Sequence, residues 1–137
     1  MKILKKISLI TCSLMILLSV VAFAAGQTLL TYYGTGIRGR ESVNSWSFTD
    51  AGKSIRINHT NEEWYEGGSG QQDMKVSVKR KDILGAYHYY GNCNVIFSGV
   101  GSFTKDFWIN DKGTFKLYFE ATEGASCADI HGSVTLN

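Results

Sequence analysis

Residues 73–82 read DMKVSVKRKD, the clearest strand pattern in the chain. Apolar side chains occupy every second position: Met74, Val76 and Val78. The alternate positions carry polar and charged side chains: Lys75, Ser77, Lys79 and Lys81. Because successive side chains of a β-strand point to opposite faces, this period of two predicts a strand on a sheet that is buried on one face and wet on the other.

On either side of 73–82, shorter stretches with strand character are separated by Gly-, Asn- and Asp-rich turns. Proline is absent from the chain. The further predicted strands are a short one within 27–39, then 45–49, 54–60, 93–98, 103–109, 114–122 and 128–136. The turn at 50–53 predicts a hairpin between the second and third of these. No helical period follows residue 24. About seven or eight short strands of this spacing predict an all-β fold, an antiparallel β-sandwich of jelly-roll type, with a small barrel as the alternative.

The N-terminus has the features of an export signal. Lys2, Lys5 and Lys6 precede an uncharged apolar run over 7–23, which ends in Ala22-Phe23-Ala24. A basic start, an apolar core and a small-x-small exit are typical of a cleaved signal peptide, with an uncleaved membrane anchor as the alternative. We therefore expect a signal peptide over 1–24 and one secreted β-domain over 25–137, which is periplasmic if the source has an outer membrane and has no integral membrane span after cleavage.

Removal of the signal changes the charge balance. The full chain carries 14 basic and 12 acidic residues, and three of the lysines leave with residues 1–24. The remaining chain has a net charge of −1, so the basic pI of about 8.4 belongs mainly to the signal. No strong positive field remains to attract nucleic acid, which we do not expect as a partner.

Two cysteines remain after cleavage, Cys93 and Cys127. In an oxidising compartment an isolated pair of this kind predicts a disulfide. Two separate buried thiols are the alternative. Neither cysteine belongs to a closely spaced Cys or His set, so we expect no metal site, and the chain shows no motif for a cofactor.

Aromatic side chains supply the candidate binding residues. Trp64 and Tyr65 fall in a polar, Gly-rich stretch that predicts a loop, and three tyrosines follow further along: Tyr87, Tyr89 and Tyr90. Loops on rigid β-scaffolds often carry recognition, and exposed rings offer large contact areas. Alternatively, Trp64 folds back over the core. The lysine face of 73–82 is either a contact surface for an anionic partner or a solvated face that discourages aggregation.

The candidates for catalysis are weaker. Asp129 and His131 are two residues apart on a predicted strand, as a carboxylate and the base it orients would be, but a solvent-facing pair has the same spacing. Glu62, Glu63 and Glu66 could supply an acid and a base, or simply form an acidic loop. No nucleophile motif accompanies them. We therefore expect no enzyme and assign no catalytic residue.

These patterns favour a small secreted binding module that contacts an extracellular glycan, cell envelope or protein through its aromatic residues and its basic strand face. A bacteriocin-like or membrane-active antagonist has the same export signal and scaffold, and is the alternative. A small hydrolase using Asp129 and His131, or the glutamate cluster, is a third hypothesis.

Overall fold

The computed structural model describes residues 26–65, 72–122 and 127–137. The predicted signal peptide, 1–24, and Glu66 lie outside these ranges. The described residues form nine β-strands. Their bounds are β1 Thr28–Ile37, β2 Gly39–Glu41, β3 Trp46–Phe48, β4 Lys53–Trp64, β5 Asp73–Lys81, β6 Tyr87–Ser98, β7 Gly101–Ile109, β8 Gly113–Ala121 and β9 Ala128–Leu136.

The strands build two antiparallel sheets. Sheet 1 has the order β1-β9-β4-β7, and sheet 2 has the order β2-β8-β5-β6, with β3 also paired to β8. The chain moves repeatedly from one sheet to the other, and sequence neighbours share a sheet only at β2–β3 and β5–β6. Antiparallel strands that alternate in this way between two sheets define a jelly roll. The predicted all-β sandwich is confirmed.

The core lies between the sheets and follows the period-two pattern. Met74, Val76 and Val78 of β5 are buried, as are Phe115 and Leu117 of the neighbouring β8. Facing them from sheet 1 are the inward side chains of β4 and β9: Ile55, Ile57, Ile130, Val134 and Leu136. The inward faces of the strands are therefore apolar, and the outward faces remain available for other contacts.

Two local predictions are wrong. The residues 45–49 and 54–60 do not form a hairpin, because β3 pairs with β8 in sheet 2 whereas β4 pairs with β7 and β9 in sheet 1. The strand predicted within 27–39 is not short, because β1 continues past Gly34 to Ile37 with a register shift after Gly34. The Ile37 side chain occupies the space beside Gly34, since a Cβ on Gly34 would lie 2.6 Å from the Ile37 Cδ1 atom.

The predicted disulfide is absent from the structure, where Cys93 and Cys127 are both free. Cys93 lies in the middle of β6, at the edge of sheet 2, and Cys127 precedes β9, an inner strand of sheet 1. The two cysteines thus belong to different sheets, and no bond joins their thiols. The pattern of two lone cysteines gave no information on which sheet each would join.

We expect both thiols to react with Ellman's reagent in denaturant without prior reduction. In the folded protein Cys93 should react slowly, because burial raises the pKa of its thiol and lowers the thiolate fraction. The Cys93→Ser and Cys127→Ser variants separate the two reactions. A thiol signal from either residue that emerges only after treatment with dithiothreitol would contradict the structure.

Candidate binding face on sheet 2

The outward face of sheet 2 brings together most of the predicted basic and aromatic residues. Lys79 of β5 lies opposite Tyr89 of β6 on one side and Lys116 of β8 on the other. Lys81 lies opposite Tyr87 in the next outward row. We call this surface the Tyr–Lys face, and its members are Lys75, Lys79, Lys81, Tyr87, Tyr89, Lys116 and Tyr118.

Lys79 is the centre of the Tyr–Lys face. Its Nζ atom lies 4.3 Å from the centroid of the Tyr118 ring and 4.9 Å from that of Tyr89. It also donates to the Glu41 Oε1 atom over 3.2 Å. The Lys79 side chain is only 14% exposed. A cation held by two rings and a carboxylate fixes the position of those rings, so Lys79 acts here as a support for the tyrosines.

The two rings meet edge to face. The Tyr89 and Tyr118 centroids are 6.1 Å apart with an interplanar angle of 82°, a favourable geometry for an aromatic pair. Tyr118 reaches across to β2, where a Cβ on Gly39 would lie 3.2 Å from the Tyr118 hydroxyl. The absence of a side chain at Gly39 therefore leaves space for the phenol. Tyr89 is 58% exposed, so the pair is open to a ligand.

The Tyr–Lys face carries a surplus of positive charge. It contains four lysines, and three acidic residues lie among them in the outward rows of β2, β5 and β8: Glu41, Asp73 and Glu120. The Lys116 ammonium lies 4.7 Å from the centroid of the Tyr87 ring, a second cation–π contact. The face therefore alternates aromatic rings with hydrogen-bond donors.

Sequence reasoning missed Tyr118 and Lys116 as members of this site. Both lie on the polar side of the alternation in 114–122, opposite the buried Phe115, Leu117 and Phe119. That signal was present in the sequence. Their partnership with β5 depends on strand order, however, and nothing in the local pattern specifies that β8 lies beside β5.

Trp64 does not form part of an exposed loop, so that prediction is corrected. It is the last residue of β4 and is packed against the core, and its indole N–H donates to the Gly99 carbonyl over 3.0 Å. The strand continues through the polar residues before Trp64 because Asn61 pairs with β7 and β9 and Glu63 pairs with β9, with a register shift at Glu62 between them. Polar composition at these positions reflected a strand end rather than a loop.

Tyr65 and Tyr90 also lie apart from the Tyr–Lys face. Tyr65 is 40% exposed and donates its hydroxyl to the Asp129 Oδ2 atom over 2.8 Å, and this hydrogen bond raises its pKa to about 12. Tyr90 points to the inner side of β6, where its ring packs edge-on against Phe115. Its hydroxyl donates to Asp111. The candidate tyrosines therefore separate into three different environments.

The proposed catalytic pairing of Asp129 with His131 is wrong. The Asp129 carboxylate accepts the Gly36 amide N–H at one oxygen and the Tyr65 hydroxyl at the other, whereas His131 is paired with Glu62. Glu62 and Glu63 lie on β4, not on a loop. Neither acid is therefore placed as the predicted arrangement required.

Within residues 26–65, 72–122 and 127–137, no cluster of three or more His, Cys, Asp or Glu side chains is placed to hold a metal ion. The same ranges include no helix with the length and apolar character needed to span a membrane.

These features define the class: a jelly-roll β-sandwich with an aromatic and basic face on one sheet. No family model and no curated protein matches the chain. Among solved structures it is similar to the xylan-binding domain CBM22-1 of Paenibacillus barcinonensis Xyn10C, with a TM-score of 0.45 and 16% identity over 82% of this chain and 96% of that chain.

A second solved structure holds the CBM22-1 and GH10 modules of the Clostridium thermocellum endo-1,4-β-D-xylanase 10B, complexed with xylohexaose. Its TM-score is 0.40, with 12% identity over 82% of this chain and 25% of that chain. Similarities at these levels carry no inference about the ligand of this chain.

Proposed function

We propose that this chain is a secreted, non-enzymatic binding module that holds an extracellular glycan against the Tyr–Lys face. The observation that supports the proposal is the fixed pair of rings on either side of Lys79, with Tyr89 open to solvent. Rings held in place before binding lose little conformational entropy when a ligand stacks on them.

The composition of the face favours a sugar polymer over a protein partner. Protein interfaces have an apolar, fully buried centre, but the only large aliphatic side chain in the outward rows around Tyr89 is Ile96. Phenol rings can stack on the apolar faces of sugar rings, while lysines and the amide of Asn94 can hydrogen-bond to sugar hydroxyls. An open sheet face also suits an extended chain that spans several rows.

We expect the parent protein to be retained by at least one polysaccharide in a panel of cellulose, xylan, mannan, chitin, peptidoglycan and pectate. Tyr89→Ala and Tyr118→Ala should each weaken that retention about tenfold, because each removes one of the two paired rings. Depletion isotherms on the insoluble polymers and affinity electrophoresis in the soluble ones measure the effect.

The matched control is Tyr33→Ala, since Tyr33 is 89% exposed and lies on β1 in the other sheet. It should bind like the parent. Equal loss in all three variants, or retention that none of them changes, would remove the Tyr–Lys face from the proposal. Failure of the parent to bind any polymer would reject the glycan itself.

A further inference from the structure

The turn between β5 and β6 presents two aliphatic side chains to solvent. Ile83 is 102% exposed and Leu84 is 89% exposed. Most exposed apolar residues are scattered singly and need no explanation, but two adjacent ones at the tip of a hairpin form a continuous apolar surface. Ile83 and Leu84 are outside the Tyr–Lys face, which this tip adjoins at Lys81.

The turn holds this apolar tip rigidly. The Asp82 Oδ1 atom accepts the Leu84 and Ala86 amide N–H groups, each over 2.9 Å, and the Asp82 and Ala86 backbones are joined by a further hydrogen bond. The Nε2 atom of His88 lies 2.7 Å from the other carboxylate oxygen. These hydrogen bonds hold the turn in a conformation that leaves Ile83 and Leu84 exposed.

Basic side chains surround the tip. Lys81 begins the turn, and its Cε atom lies 3.8 Å from the position that a Cβ on Gly85 would take. Arg80 donates to the Lys112 carbonyl over 2.7 Å, which brings the exposed Lys112 to the same end of the sandwich. The acids here are engaged: Asp82 with the turn amides and His88, and Asp111 with the Tyr90 hydroxyl.

We propose that this hairpin tip is a membrane-contact site for anionic phospholipid. Ile83 and Leu84 enter the boundary between head groups and acyl chains, while Lys81 and Lys112 meet the lipid phosphates. Apolar side chains bordered by lysines are the combination that binds an anionic interface, through buried apolar area and electrostatic attraction together. The charge complementarity favours lipid over a hydrophobic pocket on another protein.

The test compares cosedimentation with vesicles of phosphatidylcholine alone and of equimolar phosphatidylcholine and phosphatidylglycerol. On the anionic vesicles, an Ile83→Ser/Leu84→Ser double variant should bind at least about tenfold more weakly than the parent, because the inserted apolar area is lost. Val100→Ser is the matched control, since Val100 is 65% exposed on the β6–β7 turn at the opposite end. It should bind like the parent.

The apolar run at 7–23 could bind vesicles by itself in an unprocessed chain, so the depth of the tip is measured separately. In vesicles with brominated acyl chains, the added indole of Ile83→Trp should be quenched and that of Val100→Trp should not. Equal quenching at both positions, or none at position 83, would overturn the proposal. So would a concentration-dependent dimer in sedimentation velocity that the double variant abolishes, which would assign the tip to a second copy.

Discussion

Gly132→Ala is expected to destabilise the fold strongly, and by more than Gly91→Ala does. Gly132 lies on the inward side of β9, between Tyr32 of β1 and His59 of β4. A Cβ there would overlap the backbone carbonyl oxygen of Asn58 and the Tyr32 hydroxyl, and would lie 2.6 Å from the Tyr32 Cζ atom. The Asn58 carbonyl belongs to the neighbouring strand and cannot withdraw without disturbing the β4–β9 ladder.

We therefore expect a loss of more than about 3 kcal/mol in the free energy of unfolding, the range reached when a core is forced to shift around an added group. Urea denaturation followed by circular dichroism measures it. Gly91→Ala is the control, because Gly91 has a φ of 52° and open space around its Cβ position. It should cost only about 1–2 kcal/mol, the penalty of a left-handed conformation. Equal costs at both glycines would contradict the packing described for Tyr32.

The sequence pattern shows that 132 is an unusual position, because a glycine interrupts an otherwise alternating strand. It indicates a gap or a close approach but cannot choose between them. The choice depends on Tyr32, about a hundred residues away in the chain, whose ring covers Gly132 to reach His59. Close approach between distant strands is a property of the sheet order.

Local alternation predicted individual strands, whereas the order of the strands in the sheets could not be predicted from it. The bounds of β5, β8 and β9 follow closely from alternation, because one face of each is buried and the other is wet. The four residues at 50–53 form a turn as predicted, yet the strands on either side enter different sheets. A short turn has the same chemistry whether the chain returns to its own sheet or crosses to the facing one.

The candidate site follows the same rule. Tyr87, Tyr89 and the lysines of β5 were identified as residue types suited to contact, and they do share a face. Trp64 was a candidate binding residue because its neighbours are polar, with packing over the core as the alternative. Its ring does pack on the core, and its indole N–H donates to the Gly99 carbonyl. Local polarity therefore predicted exposure poorly at a strand end, where partner strands supply the contacts.

His59 makes the second large prediction, through the buried hydrogen bonds it shares with Tyr32 and Asn61. The Asn61 amide nitrogen donates to the Phe97 and Gly99 carbonyls, which turns its Oδ1 atom toward the His59 Nε2 atom, 2.8 Å away. Nε2 must then carry the proton, so Nδ1 accepts the Tyr32 hydroxyl over 2.8 Å. Every polar atom of the imidazole is satisfied in the neutral form.

Burial lowers the pKa of His59 to about 4, from an ordinary value of 6.5, and the ring is only 1% exposed. Well above pH 6.5 the imidazole is neutral in both the folded and the unfolded chain, so its contribution to the free energy of unfolding does not change with pH. As the pH falls from 6.5 to about 4, His59 becomes protonated in the unfolded chain but stays neutral in the folded chain. Stability must therefore fall across this window and level off below it, as far as this group is concerned.

The expected loss attributable to His59 is about 3 kcal/mol. It is measured by urea denaturation between pH 7 and pH 4, as the difference in slope between the parent and a His59→Gln variant, which has no titrating ring. Val100→Ser is the control, because Val100 is exposed and carries no titrating group, so this substitution should leave the slope in place. An NMR titration of the His59 ring near its ordinary pKa of 6.5, or equal slopes in parent and His59→Gln, would show that the imidazole is not held neutral by the core.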